Sequence, residues 1–367
     1  MSQLLSKKGV NMSGEAVRKR RKRLGLAGSE TKLTPEQQVT VDISRIDKKE
    51  EGKAQGRRYK AALDKIAELE RNISVYEKTK DIQTHTIRSS QSGSGSEATA
   101  VVLASDWHWG ETVLSEQTNG LNEFNPSIRA KRAEKFFSNV VRLIHIFDKD
   151  ITIHNLVLAL LGDFISNNIH DELMESNSDL PIDEIISVQE TIASGIEYIL
   201  ANTKVNLVIP TASGNHGRTT KKTHFSTEAG NSLEYLMYHN LARHFANNKR
   251  VKFILSRSYL TYVDVAGYII RFHHGHALKF AGGIGGLFIP AYKAISQWNK
   301  GRKADLDCFC HFHQVKDGGI FLSNGSLVGF NDFAVRIKAD YEKAKQVFFL
   351  VDHKRREKTV TCPVFLE

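Results

Sequence analysis

The feature that most constrains the fold is a series of four short, mostly apolar runs, each followed closely by Asp, Asn or His. The runs cover residues 101–104, 156–161, 205–209 and 268–272. Runs of this length, separated by helical patterns, are typical of strands buried on both faces of a sheet in an α/β protein. Ligands in such proteins bind beyond the carboxyl ends of the strands, so the polar residues that follow these runs are candidate site residues.

These polar residues are metal-ligand types or proton-transfer groups, and they lie in five short segments. The segments are Asp106-Trp107-His108, Gly162-Asp163, Gly214-Asn215-His216, His274-Gly275-His276 and His311-Phe312-His313. Residues two apart in an extended segment face the same way, so Asp106 with His108 is expected to present two groups to one site, as is His311 with His313. Carboxylate, imidazole and amide side chains gathered at strand ends indicate a two-metal hydrolytic site.

The order of the five segments resembles the pattern of the calcineurin-like metallophosphoesterases, which is D-x-H, G-D, G-N-H, H and G-H-x-H. The resemblance covers roughly residues 99–330, and the residues around Asp163 and His313 also resemble phage-encoded, nuclease-type members of the family. It implies an α/β fold in which two sheets pack face to face with helices outside. It also implies a metal-dependent phosphoric ester hydrolase.

The resemblance assigns a role to each residue of the pattern. Asp106, His108 and His313 would hold one metal ion, Asn215, His274 and His311 would hold the other, and Asp163 would bridge both. His216 would not bind metal but would protonate the leaving group or stabilise the transition state. Two divalent ions roughly 3.5–4 Å apart share one hydroxide and lower the pKa of bound water to about 7. Mn²⁺ is the expected metal, with Fe, Zn, Ni and Mg as alternatives.

Two positions depart from the family pattern. Gly217 and Arg218 follow G-N-H where the family has an acid that orients the catalytic histidine, and Cys310 stands where the family has glycine. A zinc-finger interpretation of Cys308, Cys310, His311 and His313 is disfavoured, because four candidate ligands fall within six residues. Between the adjacent His273 and His274, the pattern favours His274 as the ligand.

Several residues near the pattern are candidate substrate contacts. These are His170, Arg218, Lys221 and Lys222, for which an exposed surface position is the alternative. The glycine-rich segment 282–286 either cradles a phosphate through backbone N–H groups or, as we favour, forms a structural turn.

Positive charge is concentrated at the beginning of the chain. The net charge is +10, and residues 1–60 contain 16 Lys and Arg against 7 Asp and Glu. The densest run is Arg18, Lys19, Arg20, Arg21, Lys22 and Arg23. Ser13 is a candidate cap for a short helix that ends at Gly25, and the segment resembles the last helix of a helix-turn-helix unit. Such a helix favours nucleic-acid binding, preferably to DNA, and a solvated basic tail is the alternative.

The composition predicts four regions. Residues 1–30 form a basic DNA-binding arm, 31–88 a polar stretch with a short heptad helix, 89–98 a Ser/Gly linker and 99–367 the catalytic domain. The heptad spacing over residues 59–76 favours either a homodimer or packing on the catalytic domain. There is no apolar run of eighteen residues and no signal-like segment, and only three cysteines occur. We therefore expect no membrane span and a cytoplasmic location, in the host cytoplasm if the protein is phage-encoded.

Together these features predict a two-metal phosphodiesterase, most simply a nuclease acting on DNA. One alternative is a phosphodiesterase or phosphatase for a small nucleotide. The other is a nucleic-acid-binding scaffold with an inactive metal site, for which Gly217 and Cys310 are the only support.

Overall fold

The computed structural model describes residues 14–25, scattered residues between 34 and 67, and residues 84–90, 96–279 and 286–367. The chain divides into two compact units, Met1–Ile73 and Ser74–Glu367. The predicted cap Ser13, most of the heptad segment 59–76, the centre of the Ser/Gly segment and nearly all of the glycine-rich segment 282–286 lie outside the described residues.

The first unit contains helix α1, Gly14–Arg23, within the range that the sequence predicts. Gly25 follows with a φ of +66°, a conformation that glycine adopts without steric cost and that commonly ends helices. The side chains from Arg18 to Arg23 are all exposed. The helix therefore buries none of its basic side chains.

The second unit contains two six-stranded mixed sheets among its described residues. The first sheet has the order β1 (His85–Ile87), β6 (Thr261–Val265), β7 (Tyr268–Phe272), β8 (Leu306–Phe309), β10 (Phe321–Ser323) and β9 (Lys316–Asp317). The second has the order β12 (Glu357–Phe365), β11 (Lys345–Asp352), β2 (Glu97–Ala104), β3 (Thr152–Leu160), β4 (Asn206–Pro210) and β5 (Val251–Ile254). The predicted α/β two-sheet architecture is confirmed.

Strand directions bring the candidate segments to one edge of each sheet. Strands β2, β3, β4 and β5 pair in parallel, as do β7, β8 and β10. The segments that carry the candidate ligands follow β2, β3, β4, β7 and β8, each at the carboxyl end of its strand. This placement is the one expected for a ligand site in an α/β protein.

Three layers of apolar contacts explain why the strands have nearly continuous apolar sequences. Val101 and Leu103 of β2 point into the core between the sheets, whereas Ala100 and Val102 point to the core beneath the helices. The outer helices on this side are α2 (Pro126–Phe147), α4 (Pro181–Asn202) and α5 (Leu233–His244). On the other sheet, α6 (Phe288–Gly301) packs its Ala291 and Ile295 against a smaller cluster. The remaining short helices are α3 (Asp171–Ser176) and α7 (Asp332–Ile337).

The long helices begin where local sequence signals place them. The side chain of Asn125 accepts hydrogen bonds from the backbone N–H groups of Ser127 and Ile128, and Pro126 occupies the first turn of α2. Pro181 likewise begins α4. A side-chain acceptor at the cap satisfies N–H groups that have no helical partner, and proline fits the first turn because it lacks an N–H.

Strand β1 precedes the predicted Ser/Gly linker, yet it pairs in parallel with β6, from His85 opposite Val263 to Ile87 opposite Val265. On the other side of the segment, Glu97 accepts hydrogen bonds from Ser89 and Ser90. Residues 85–90 are therefore part of the second unit, although the four predicted region limits stay predictions. No helix in the described ranges is long and apolar enough to cross a membrane.

Candidate metal centre

The segments that follow β2 and β3 run side by side beyond the ends of these strands. The backbone N–H of Asp106 donates to Gly162 O (3.0 Å), and that of His108 donates to Asp163 O (3.1 Å). Asp106, His108 and Asp163 have φ values of 52°, 45° and 52°, in the left-handed region. The expectation of an extended segment from Asp106 to His108 is therefore wrong, because the backbone is left-handed at both residues, whose N–H groups bond to the segment after β3.

His311 and His313 after β8 also have left-handed backbone, with φ values of 77° and 55°. Their side chains join different groups of potential ligands. His313 lies with Asp106 and His108, and His311 lies with Asp163 and His274, the ligand atoms of each group being within 4.8 Å of one another. The backbone from His311 to His313 is therefore not the extended segment that was expected, although both histidines face the same centre.

The first group brings two ring nitrogens into direct proximity. His108 Nε2 and His313 Nε2 are 3.1 Å apart, and Asp106 Oδ1 is 3.7 Å from His313 Nε2. The side chains of all three are nearly inaccessible to solvent. Two imidazole lone pairs that face each other repel unless a proton or a cation lies between them.

The second group is centred on His274. Its Nε2 lies 2.9 Å from Asp163 Oδ2 and 3.2 Å from Asn215 Oδ1, and its ring centroid is 5.2 Å from that of His311. Asp163 is shared, because its carboxylate also forms a group with His108 and His216. A carboxylate between two ligand groups is the position that a bridging ligand requires.

The donor set fits divalent metal ions. Nitrogens bonded at 2.0–2.1 Å to one ion at a right angle lie about 3 Å apart, which matches the separation of the two Nε2 atoms. Burial lowers the pKa of His313 to about 3. Burial, followed by neighbouring histidines, also lowers the pKa of His108 and His311 well below the ordinary value. These imidazoles are neutral near pH 7 and have a lone pair for a metal.

Backbone carbonyl groups orient two of the histidines. Nδ1 of His274 lies 2.8 Å from Leu161 O, and Nδ1 of His216 lies 2.8 Å from Ser166 O. A proton on each Nδ1 completes these contacts and leaves Nε2 facing the centre. Partners of this kind fix the tautomer and the ring orientation of histidines at metal sites.

His216 lies directly against the proposed ligands. Its backbone N–H donates to Asp163 Oδ1 at 2.7 Å, and its ring meets the ring of His108 edge to face at 4.6 Å. Burial lowers the pKa of His216, and the negative charge of Asp163 opposes this effect. The carbonyl of Ser166 thus orients the ring, which is the function that the family assigns to an acid after G-N-H.

Glu234 of helix α5 is a buried acid that the sequence analysis does not identify. Its Oε1 accepts the N–H of Phe164 (2.6 Å), and its Oε2 accepts the N–H of Gly214 (2.7 Å). A Cβ added to Gly217 would lie 2.8–2.9 Å from the Glu234 side chain. Glu234 therefore fills the space beside Gly217. The absence of an acid after G-N-H is the sequence signal that indicates an acid from another segment at this place.

Two further glutamates, the buried Glu184 and the partly buried Glu111, support the neighbouring segments. Glu184 of helix α4 accepts the N–H groups of Gly110 (3.1 Å) and Ser166 (2.7 Å). Glu111 Oε2 lies 3.9 Å from His108 Nδ1, and its other oxygen accepts a hydrogen bond from Asn331. Burial raises the pKa of Glu111 to about 7. Neither residue belongs to the five-segment pattern, so neither is identifiable as a site residue from that pattern.

The structure places the ambiguous cysteine and histidine positions plainly. The thiol of Cys310 lies 3.1 Å from His274 Nδ1 and donates to Leu161 O, and burial raises its pKa to about 12. Cys308 joins none of the ligand groups found among the described residues. His273 points away from the centre, with its Nε2 3.6 Å from Asp307. His274 is thus the histidine that faces Asp163.

The candidate substrate contacts differ in their surroundings. His170 is exposed, and its ring lies 6.2 Å from that of His216. Arg218 donates to the carbonyl groups of Asn215 (2.6 Å) and Thr220 (3.2 Å), so its guanidinium organises its own loop. Lys221 and Lys222 are exposed on that loop.

No family model matches the chain, and no curated protein matches it. Two solved structures are similar over most of their length. One is a hypothetical protein from Pyrococcus horikoshii OT3, with 12% identity, a TM-score of 0.35 and coverage of 71% of this chain and 86% of that one. The other is described as a novel phosphatase from Mycoplasma pneumoniae, with 12% identity, a TM-score of 0.31 and coverage of 73% and 92%. Likenesses of this size carry no argument about function.

Proposed function

We propose that the chain is a metal-dependent phosphoesterase of the calcineurin-like type, and that it cleaves phosphodiester bonds in DNA. One observation carries the proposal. Seven potential ligands from five separate segments converge on one centre, where Asp163 belongs both to a group that contains His108 and to a group that contains His274 and His311. The seven are Asp106, His108, Asp163, Asn215, His274, His311 and His313.

The chemistry divides between the bound ions and the residues of the chain. Two divalent ions would supply activation of water near neutral pH and neutralisation of phosphate charge. Asp163 would hold both ions, and the amide oxygen of Asn215 would add a neutral ligand. His216 would act as a general acid in its doubly protonated form, in which Nδ1–H donates to Ser166 O and Nε2–H gives its proton to the leaving oxygen; burial opposes this form and the charge of Asp163 favours it. Mixed oxygen and nitrogen donors without thiolate favour Mn²⁺.

The assignment of DNA as substrate is supported by helix α1. Its six consecutive basic side chains are exposed, and they outnumber the one acid of the helix, Glu15, which pairs with Lys19 at 3.5 Å. Lys and Arg contacts to phosphates release counterions and give salt-sensitive affinity that depends little on sequence. A phosphodiester-cleaving unit on the same chain would then act on DNA that the basic arm retains.

The test is an assay of the full-length protein on linear DNA, circular DNA, cyclic nucleotides and a small chromogenic phosphodiester, with a phosphomonoester for comparison. Each substrate is measured in chelator and after adding back Mn²⁺, Mg²⁺ or Zn²⁺. Metal-dependent cleavage of DNA supports the proposal. Cleavage of the phosphomonoester alone identifies a phosphatase, and DNA binding without any hydrolysis identifies a scaffold.

A further inference from the structure

An exposed aromatic ring lies beside the candidate metal centre. Phe225, on the loop that follows G-N-H, is 71% exposed and is the most exposed large apolar side chain among the described residues. Its ring stacks on that of His276, with a centroid separation of 6.5 Å and an interplanar angle of 20°. Because only one face can be covered by His276, the other face of Phe225 is open.

The stacked pair lies next to the second ligand group. The ring of His276 is 5.4 Å from that of His274 and 6.4 Å from that of His311. Glu228 Oε1 lies 3.0 Å from His276 Nε2, and the ring of Tyr259 meets that of His276 edge to face at a centroid distance of 5.0 Å. Phe225 is thus separated from the proposed ligands by one imidazole ring.

Hydrogen bonds within the loop give it a defined conformation. The N–H of Thr219 donates to Asn231 O (2.8 Å), the N–H of Leu233 donates to Gly217 O (2.8 Å), and the hydroxyl of Thr220 donates to Lys222 O (2.6 Å). Arg218 adds the two bonds to backbone carbonyl groups described above. Phe225 is therefore presented to solvent on an organised loop.

The charge around Phe225 is positive. Lys221 and Lys222 are exposed on the same loop, and together with Arg218 they outnumber its one acid, Glu228. Exposed aromatic rings interleaved with basic side chains are the recurrent composition of surfaces that bind single-stranded nucleic acid. The bases stack on the rings, and the basic groups follow the phosphates.

We propose that Phe225 is a stacking platform for a nucleobase next to the scissile phosphate, with Lys221 and Lys222 binding adjacent phosphates. The ligand class is single-stranded or locally unpaired nucleic acid, because the faces of a base within a duplex are covered by its neighbours. The proposal rests on the proposed function only in placing a phosphodiester at the metal centre. The stacking itself is measurable without turnover.

The experiment measures equilibrium binding of full-length protein to a single-stranded oligonucleotide of about eight nucleotides by fluorescence anisotropy. Ca²⁺ is used in place of Mn²⁺ so that binding is measured without cleavage. Intact oligonucleotide is verified on gels. The variants are Phe225→Ala, Phe225→Trp and, as a matched control, Phe365→Ala, which removes another exposed phenylalanine from β12. The binding contribution of the basic arm is common to all of them.

Loss of one base stack is expected to weaken binding about 5- to 150-fold in Phe225→Ala. Phe225→Trp is expected to bind at least as tightly as the original protein, and Phe365→Ala within about twofold. Phe225→Ala is expected to leave the melting temperature of the protein unchanged, because the ring of Phe225 is mostly exposed. An affinity of Phe225→Ala equal to that of the control overturns the proposal.

A set of oligonucleotides, each lacking one base, distinguishes stacking from general damage to the loop. The original protein is expected to lose affinity at one or two abasic positions, and Phe225→Ala is expected to be insensitive at those same positions. Equal losses in both proteins overturn the stacking role. Lys221→Gln and Lys222→Gln are each expected to reduce the slope of log affinity against log salt by about 0.7 for each phosphate contact removed.

The two proposals fail separately. Hydrolysis of the small phosphodiester, combined with oligonucleotide binding that ignores Phe225, leaves the proposed function standing and removes this inference. If binding depends on Phe225 but the protein hydrolyses no phosphodiester, the stacking inference stands and the proposed function is removed.

Discussion

Replacement of Glu234 tests whether an acid from helix α5 supports the candidate metal centre. Its two carboxylate oxygens accept the N–H groups of Phe164 and Gly214, which are the chain neighbours of Asp163 and Asn215. Alanine at this position leaves two buried donors without a partner. Each unsatisfied donor costs about 1–3 kcal/mol, so Glu234→Ala is expected to lower the free energy of unfolding by about 2–6 kcal/mol.

Glutamine at the same position provides an internal comparison. The amide keeps one acceptor oxygen but presents an NH₂ group to the second N–H, so one of the two hydrogen bonds is lost. Glu234→Gln is expected to lose about 1–3 kcal/mol, roughly half the effect of alanine. The control Glu197→Gln changes an exposed acid of α4 and is expected to alter stability by less than about 0.5 kcal/mol.

The effect on metal binding separates a positioning role from a purely structural one. If the two hydrogen bonds hold Asp163 and Asn215 in place, Glu234→Ala is expected to bind Mn²⁺ about 10- to 100-fold more weakly, as for other residues that orient metal ligands. Calorimetric titration with Mn²⁺ measures this affinity, and urea unfolding in chelator measures stability. A destabilised variant with unchanged Mn²⁺ affinity would refute the positioning argument.

A second-site exchange sharpens this test. In the original chain, a side chain at residue 217 collides with Glu234, because its Cβ would lie 2.8 Å from Cγ of that residue. In Glu234→Ala the space is free, so adding Gly217→Glu is expected to recover part of the lost Mn²⁺ affinity. If the double variant binds no better than Glu234→Ala, then an acid at position 217 does not replace the hydrogen bonds that Glu234 accepts from Phe164 and Gly214.

Three further predictions follow from the site and from helix α1. Chelator is expected to abolish hydrolysis and Mn²⁺ to restore it best; full activity in chelator contradicts the two-metal assignment. Asp163→Asn is expected to be the most damaging ligand change, because Asp163 belongs to a group with His108 and to a group with His274 and His311. His216→Asn is expected to keep its bound metal but lose about 10²–10⁴-fold in turnover, and less for substrates with a good leaving group. Loss of metal, measured by elemental analysis, would make His216 a ligand instead. Glutamine at all six basic positions from Arg18 to Arg23 is expected to weaken binding to long DNA and reduce its salt dependence, while hydrolysis of a small phosphodiester stays unchanged. An unaltered DNA affinity in a filter-binding titration would remove the arm from substrate recognition.

The sequence predicted the strands that are buried on both faces and placed helical patterns between them. Strand β2 is buried at every residue, and its last five residues, from Ala100 to Ala104, are all apolar. Helices α2 and α4 lie between the apolar runs that form β2, β3 and β4. Strands β1 and β9 contain three and two residues, too few for a periodic pattern. Strand β1 is fixed by pairing with the distant β6, which a local pattern does not contain, and β9 is fixed by antiparallel pairing with β10 a few residues later.

The residues of the candidate site were selected from their order and chemical type, but not their geometry. Asp and His occur in every backbone conformation, so nothing in the sequence indicates the left-handed turns at Asp106 and His311. Those turns depend on hydrogen bonds such as Asp106 N–H to Gly162 O, between segments far apart in the chain. Glu234 was not predicted either, because it reaches the site from helix α5, which lies outside the five-segment pattern.

The left-handed backbone at five proposed ligands has a consequence for the evolution of the chain. An L-residue in this conformation costs about 1–2 kcal/mol, so Asp106, His108, Asp163, His311 and His313 together remove roughly 5–10 kcal/mol from the stability of the metal-free fold. Glycine at any of them relieves that cost while abolishing a ligand. Selection for stability alone would therefore replace these ligands by glycine one at a time, which yields a protein with a larger free energy of unfolding but without its metal site.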